Sequence, residues 1–553
     1  MKKNKKMKEN SFLNGAFIAT MGIVGSKILG MLYVIPFYAI IGEKGGALYG
    51  YAYTIYTLFQ SLSCAGIPNA VSKIISEYQT LGYYNVKERA FKLGKRLAAI
   101  LGVTIFILLF IFAPNIATAI LGDLKGGNTI ADVTFVIRVI ATAILIVPNL
   151  SICRGYLEGH KFITPSSISQ VVEQVARVFL IIIGSFVALH VFHLSLTTAV
   201  GIAVFGATFG ALIAYFYLIE KMHKNKAQLK EKPLQVEEPQ ITTKSILKKI
   251  FWYALPFIMI DIFKSAYDFI DMTTIVKTLV NDIGYKTAQA ENVMSVISTW
   301  GSKLNMIIVS VSTGMIISLI PNLTASAVKG DQKDVHHKIN QTLQILLLIS
   351  LPMTIGLSML STPVWNVFYG SKSSIGPSII SYFIFVALVI STYTTLASIV
   401  QVLKYYKEVF ISLITGVTIK LSCNVLLMNA FYKIGLSAVY GAITATILGY
   451  GLGIILCLYF LHKKCKVSYQ PTIKLLGKIL LADVAMILTI FLLQFILPLT
   501  VASRLKSLIL VVIYTLIGAG VYFVVAYRLH LLNDVLGDKM INKIKTKLQP
   551  HKN

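Results

Sequence analysis

Apolar residues in this chain come in long unbroken runs rather than at the spacing of a soluble helix or strand. Fourteen runs of about 20 residues or more, the length that crosses hydrocarbon as a helix, begin near Phe12, Leu48, Leu97, Ala131, Ser169, Leu196, Phe251, Val293, Thr342, Ser374, Val409, Leu436, Leu475 and Ser507. The pattern predicts an all-α polytopic membrane protein with fourteen transmembrane helices. A polar stretch from Lys221 to Lys249 separates the sixth run from the seventh. An even number of crossings puts both ends of the chain on one side. Sorting the 51 Lys and Arg residues by that alternation places 37 on the side of the N-terminus, 8 on the other side and 6 within runs. Basic residues concentrate on the cytoplasmic side of membrane proteins, so both termini and the polar linker are expected in the cytoplasm. The apolar run after the basic stretch Met1 to Asn10 is too long for a signal peptide and lacks a small-residue cleavage site. It is expected to stay as the first helix.

Composition agrees with this reading and excludes others. Hydrophobic residues make up 56% of the chain and charged residues only 13%, with a mean hydropathy of +0.74, outside the range of globular domains. The net charge of +28 arises from short clusters between runs, with no basic domain or aromatic-interleaved patch, so nucleic acid is not an expected partner. Five cysteines, Cys64, Cys153, Cys423, Cys457 and Cys465, lack CxxC or Cys/His ligand spacing and suggest neither a disulfide framework nor a zinc site. The chain has no HExxH, phosphate-binding loop, nucleophile elbow or paired-acid motif. No catalytic residue and no cofactor are expected.

A faint internal repeat appears at a shift of about 250 residues. Ile67-Pro68-Asn69 ends a run as Ile320-Pro321-Asn322 does, Pro114 through Gly122 recurs as Pro363 through Gly370, and Phe162 and Phe410 each follow a charged turn. Three matches in order favour duplication. The expected plan is two pseudo-symmetric six-helix lobes, residues 1–220 and 250–465, joined by a basic linker at 221–249 and followed by two extra helices at 466–528. In the tail, 529–553, Leu531-Leu532, Val535-Leu536, Met540 and Ile544 recur at helical spacing among lysines. That spacing predicts an amphipathic helix on the membrane surface.

Charges inside the runs are the clearest clue to chemistry. Lys27, Arg138, Arg177, Lys264, Lys303 and Lys420 lie within segments that otherwise read as lipid-embedded. Each would cost roughly 2.5–3.5 kcal/mol at a helix centre, so these side chains are expected to face protein or a wet cavity. Glu173, Asp261, Asp268, Asp271 and Asp483 share their depth, leaving an excess of positive charge that suits an anionic cargo. Lys27 and Lys303 fall in different halves and are candidates to hold a diphosphate through compact ammonium donors, with Arg138 as a third cavity cation. Asp261, Lys264, Asp268 and Asp271 share one face of the seventh run. They form either a self-neutralising ion-pair ladder or a cation or proton site. Lys420, with Asn424 one turn on, is as well suited to a structural bond to another helix as to transport. Asp483 is expected near the cytoplasmic end of its span, partly wet.

The most specific string is Arg154-Gly155-Tyr156-Leu157-Glu158-Gly159-His160-Lys161-Phe162, followed by Pro165, Ser169-Gln170, Glu173-Gln174 and Arg177. A turn leads into a helix on which Gln170, Glu173, Gln174 and Arg177 share a face, with Glu173 and Arg177 in the favourable i,i+4 order. Arg154, Glu158, Gln170, Glu173 and Arg177 are expected to form a structural clamp near an inner gate.

This string, together with SKILG at 26–30 and GIPNAVSKIISEY at 66–78, resembles the polysaccharide-flippase branch of the multidrug/oligosaccharidyl-lipid/polysaccharide exporter superfamily. Within it the chain is most similar to the MurJ-type lipid II flippases of Gram-positive bacteria, with the SpoVB sporulation proteins as near kin. The resemblance implies a V-shaped cavity between two lobes and a groove for the lipid tail at the last two helices. It also implies substrate-binding cations matched by Lys27 and Lys303. Further family arginines fall on Tyr33 and Gln60 here. Coupling to membrane potential or to Na+ or H+ is implied, with Asp261 and Asp268 as a candidate Na+ site that Lys264 and Lys420 would compete for.

The expected function is translocation of undecaprenyl-diphosphate-linked peptidoglycan precursor between leaflets of a bacterial plasma membrane by alternating access. The partners would be that glycolipid, membrane lipids and wall-synthesis enzymes. The alternatives are another undecaprenyl-linked glycan (a teichoic, capsular or spore-cortex precursor), an amphipathic drug, or a non-transporting scaffold for wall synthesis.

Overall fold

The computed structural model describes residues 25–27, 29–64, 66–122, 124–229, 238–371, 373, 375–499 and 503–536. Among these residues every regular element is helical. In chain order they are α1 (Gly25–Leu32), α2 (Val34–Cys64), α3 (Ile67–Leu81), α4 (Tyr84–Leu121), α5 (Ile130–Ile144), α6 (Val147–Gly159) and α7 (Ile163–Phe179). Two π-helical stretches, Leu180–Gly184 and Val187–Val191, extend α7. Then come α8 (Leu196–Lys224), α9 (Lys226–Leu229), α10 (Thr243–Asn281) and α11 (Thr287–Ser295), the last running through π-helical Val296–Gly301 into α12 (Ser302–Val328). The chain continues with α13 (Gln332–Met359), α14 (Ser361–Tyr369), α15 (Ile375–Val402), α16 (Tyr406–Lys433), α17 (Ala438–Cys465), α18 (Gln470–Ile496), α19 (Arg504–Arg528) and α20 (Leu531–Leu536).

Among the described residues ten helical stretches are long and apolar enough to cross a bilayer, or eleven if the bent pair Gly25–Leu32 and Val34–Leu62 counts as one span. Helices α10 and α12, 39 and 27 residues long, occupy the seventh and eighth expected runs. At 1.5 Å per residue they extend about 59 Å and about 40 Å, enough to cross about 30 Å of hydrocarbon. The set is consistent with fourteen spans. The first run begins among residues outside those described, and so do Met540 and Ile544 of the expected tail helix, which is seen as α20 up to Leu536.

Chain contacts divide the protein into two compact units. One comprises residues up to Lys303 together with Lys420–Ala442, and the other comprises Leu304–Ile419 and the chain from Ile443 onward. In the first unit, α2 consists of two helices joined at Gly42, whose φ of 62° suits a residue without a Cβ. Helix α4 turns a stripe of Ala90, Gly94, Ala98 and Gly102 inward. A Cβ on Gly102 would stand 2.7 Å from the Ile144 carbonyl oxygen, so α4 and α5 approach backbone to backbone. Small residues make such approaches possible in lipid, where hydrophobic burial does not drive helices together. On its opposite face α4 leaves Ile100, Val103, Ile107, Phe110, Ile111 and Phe112 exposed, a surface that lipid would cover.

In the second unit α13 packs on α15 and α18, and α19 packs on α18 and α14. Buried polar groups lock these contacts, since a polar group without a partner in an apolar interior is costly. Tyr522 donates to the Leu348 carbonyl at 2.8 Å, and the Asn366 amide donates to Ser507 Oγ at 2.8 Å. An apolar cavity of about 390 Å³ lies among these helices, lined by residues including Leu348, Pro352, Met486, Ile490, Tyr514 and Tyr522.

The paired halves of the repeat differ locally. Gly66, with φ 75°, precedes α3, and Pro68 occupies its first turn, where a missing N–H costs nothing. Ile320-Pro321-Asn322, by contrast, lies inside continuous α12, because no glycine there permits the break. Pro114 and Pro363 behave more alike: both helices end at a glycine of positive φ, Gly122 (61°) and Gly370 (82°).

Candidate functional site

A cationic cluster forms in the first unit around a ladder of tyrosines. Lys303, in the first turn of α12, holds its Nζ 5.5 Å from the centroid of the Tyr33 ring. Tyr33 occupies the break between α1 and α2, and its hydroxyl lies 3.3 Å from that of Tyr49. Tyr49, Tyr53 and Tyr56 share one face of α2, with ring centroids 4.5 Å apart for the first pair and 5.9 Å for the second. The spacing 49, 53, 56 in the sequence carried this ladder, but nothing there marked it as facing charge.

Helix α7 brings Glu173 and Arg177 to the ladder, and α6 adds Arg154 beside Glu173. These two arginines share one acid. Glu173 divides its carboxylate between them, with Oε2 2.8 Å from Arg154 Nη2 and Oε1 2.7 Å from Arg177 Nη2. Arg154 Nε also donates to Ser169 Oγ at 2.8 Å. The expected Glu173–Arg177 pair is therefore present, with Arg154 as its third member. Glu158 stands apart, accepting from Ser166 Oγ at 2.6 Å, and Gln170 is half-buried one turn before Glu173. Arg177 is close enough to Tyr33, Tyr53 and Lys303 to interact electrostatically with each. Two cations, Arg154 and Arg177, thus share a single carboxylate, with Lys303 near Arg177 as a further positive charge, and the surplus favours an anion. Helix α1 joins this group through Gly30, where a Cβ would stand 3.3 Å from the Gln174 amide nitrogen. Lys27 is half-buried one turn earlier.

Helix α8 braces α7 at the same level. A Cβ on Gly210 would stand 2.5 Å from the Glu173 carbonyl oxygen and 3.2 Å from Arg177 Cβ. Arg138 takes no part in the cluster. Its Nε donates to the Phe110 carbonyl at 3.2 Å, and its guanidinium stacks 4.9 Å from the Phe110 ring.

The acids of α10 separate into two environments. Asp261 and Lys264 are 3.9 Å apart with side chains 47% and 38% exposed, and Asp268 is exposed as well. Asp271 turns inward, where its Oδ1 lies 2.5 Å from Lys420 Nζ. Lys420 is fully buried and also donates to Asn424 Oδ1 at 3.0 Å and the Ala442 carbonyl at 2.9 Å. Asn424 Nδ2 in turn donates to Thr274 Oγ1 at 2.7 Å. The four charges on one face therefore form no complete ladder, because Asp261 pairs with Lys264 while Asp271 takes its cation from α16. Three acceptors around one ammonium and a ring of amide and hydroxyl partners meet the conditions under which an ion pair survives burial.

Asp483 is not wet. It stands at the midpoint of α18, 1% exposed, and neither carboxyl oxygen has a hydrogen-bond partner among the described residues.

A second buried network, which the sequence did not reveal, ties the linker to the start of α4. Lys87 Nζ donates to Gln79 Oε1 at 2.8 Å and the Leu229 carbonyl at 3.2 Å, and lies 3.0 Å from His160 Nε2. His160 Nδ1 lies 2.8 Å from the Tyr156 carbonyl, which fixes the tautomer with the proton on Nδ1 and leaves Nε2 to accept from Lys87. Burial first, and the Lys87 charge second, push the His160 imidazole down to about 4. Further along the linker, the Glu238 carboxylate accepts from the backbone N–H of Asn85 at 2.9 Å and of Val86 at 3.2 Å, satisfying open donors of the α4 N-terminus.

A helical membrane protein with buried, unbalanced charge and no strand among the described residues is in the class of polytopic helical transporters. Solved structures support that fold: MurJ in its inward closed conformation superposes with a TM-score of 0.68 at 17% identity, covering 93% of this chain and 99% of that one. An inward-facing multidrug-resistance MATE family transporter gives 0.60 at 14%, covering 81% and 99%. Residues 12–312 match the polysaccharide biosynthesis protein family. The lipid II flippase MurJ of Bacillus subtilis (strain 168) is 33% identical over 539 residues, 96% of this chain and 98% of that protein. The chain belongs to the MurJ family of polysaccharide biosynthesis proteins.

Proposed function

We propose that this protein is a flippase that carries undecaprenyl-diphosphate-linked peptidoglycan precursor, lipid II, from the inner to the outer leaflet by alternating access. The observation that carries the reading is the full-length match to the B. subtilis lipid II flippase MurJ. Fitting chemistry comes from Arg154 and Arg177, which share the single carboxylate of Glu173, and from Lys303 close to Arg177. A diphosphate brings the negative charge that this surplus lacks, and Lys27 and Lys303 are the ammonium groups assigned to it. No covalent step is required. The polyprenyl chain stays in apolar surroundings, for which the cavity beside Met486, Ile490 and Tyr522 is suited. Asp261 and Asp268, exposed on α10, are the groups through which Na+ or H+ would bias the cycle, whereas Asp271 is committed to Lys420. Both termini are assigned to the cytoplasm on the distribution of basic residues, and the lobes at 1–220 and 250–465 are assigned as the rocking bodies.

The test is lipid II exposure at the outer leaflet of cells depleted of their own flippase. The wild-type chain should restore exposure and growth, Lys27→Ala and Lys303→Ala should abolish both, and Arg at either position should retain most of the activity. Normal rescue by both Ala variants would remove these lysines from the site. No rescue by a well-expressed, membrane-inserted wild type would redirect the cargo to another undecaprenyl-linked glycan.

A further inference from the structure

Two polar groups in the cationic cluster remain unused. Arg177 Nε is buried with no hydrogen-bond partner among the described residues, and the buried Tyr53 hydroxyl is in the same state. Both are donors, and a buried donor left without an acceptor is costly. Contacts along the ladder carry Tyr53 toward Lys303: Tyr53 stacks on Tyr49, Tyr49 meets the Tyr33 hydroxyl, and Tyr33 lies under the Lys303 ammonium. Glu173 holds one side of the Arg177 guanidinium and is itself shared with Arg154, so it leaves the Nε edge oriented and its charge only partly balanced.

We propose that Arg177 Nε–H and the Tyr53 hydroxyl form a second oxyanion contact beside Lys303, so that these two groups, and not the lysines alone, recognise one of the two phosphates of the diphosphate. The guanidinium presents its donors in a fixed fork that matches phosphate oxygens, while an ammonium acts as a point charge. Lys303 and Arg177 therefore take different parts: the first attracts either phosphate, and the second recognises the additional one. Arg177 is then a binding residue as well as a member of the Glu173 clamp. The inference rests on the reading of Lys303 as a diphosphate contact.

The experiment uses the full chain purified into lipid nanodiscs and measures binding of undecaprenyl diphosphate and undecaprenyl monophosphate. Wild type should prefer the diphosphate. Arg177→Gln should weaken diphosphate binding about tenfold to a hundredfold, and Tyr53→Phe about twofold to tenfold. Both should leave monophosphate binding close to wild type. Tyr53→Phe removes one oxygen and leaves the Glu173 clamp in place, so it keeps the test informative where Arg177→Gln disturbs the clamp. A Tyr53→Phe variant and a folded Arg177→Gln variant that retain the full diphosphate preference, while Lys303→Gln loses binding, would overturn this inference and leave the proposed function standing. A wild type that binds neither lipid would overturn both.

Discussion

Replacing Lys420 by Met removes an ammonium while keeping an unbranched apolar stem of similar length. In the wild type that ammonium is fully buried and contacts Asp271 Oδ1 at 2.5 Å, Asn424 Oδ1 at 3.0 Å and the Ala442 carbonyl at 2.9 Å. After substitution the Asp271 carboxylate, whose side chain is 12% exposed, keeps only the Asn424 amide at 3.3 Å. Stranding a buried charge in this way destabilises a protein by about 3–5 kcal/mol. Replacing both members by apolar residues, Lys420→Met with Asp271→Leu, leaves no uncompensated charge and should bring stability back to within about 2 kcal/mol of wild type. The two changes are therefore strongly non-additive. The assay is denaturant unfolding of wild type, both single variants and the double variant in lipid nanodiscs, followed by intrinsic fluorescence. A double variant no more stable than Lys420→Met would refute the assignment of Asp271 as the counter-ion of Lys420. Stabilisation of Lys420→Met by Na+ alone would instead turn Asp271 into an ion site that Lys420 fills in the wild type.

The His160 network makes stability depend on acid. With its imidazole at about 4 in the fold and about 6.5 when unfolded, the unfolded chain binds the extra proton between those values. Above pH 6.5 there is no effect. As pH falls from 6.5 to 4 stability should drop by about 3 kcal/mol, and His160→Gln should flatten that part of a stability-against-pH curve; an unchanged slope would remove His160 as its origin. Asp483→Leu removes a buried carboxyl without a partner and should raise stability by about 1–3 kcal/mol; a loss of stability on denaturant unfolding would mean the acid is satisfied. Gly210→Ala pushes against the Glu173 carbonyl and the Arg177 side chain, so it should destabilise by about 1–3 kcal/mol in the same measurement, while Gly435→Ala, where no neighbour lies within 4 Å and φ is 80°, should cost only its backbone strain, about 1 kcal/mol.

Much of the tertiary arrangement is local in origin. The Glu173–Arg177 bridge follows from an i,i+4 spacing on one helix, and Gly66, Gly122 and Gly370 mark helix ends because their positive φ is open to glycine. The repeat matches at Pro114 and Pro363 hold for the same reason. The match at Ile67 and Ile320 does not extend to structure, since a shared tripeptide without a shared glycine does not set the backbone. Asp483 illustrates the opposite limit: its distance from the helix ends was countable, but its burial depends on which side chains of other helices surround it.

What this chain determined by itself was its class, its all-helical architecture and the approximate places of its spans, because a lipid interior demands long apolar helices regardless of how they pack. It also showed that charges stand at membrane depth, and hence that they face protein or water. Only the tertiary structure decided which charges meet. Lys420 reaches Asp271 across 149 residues of chain, Arg154 joins Glu173 and Arg177 rather than Glu158, and Lys303 lies over Tyr33, while Arg138 turns to Phe110. Periodicity specifies which face of a helix a residue occupies, but pairing across helices depends on rotation and close approach. Those are set by contacts such as Gly102 on Ile144 and Gly210 on Glu173, which lie far apart in the sequence and act only once the helices have packed.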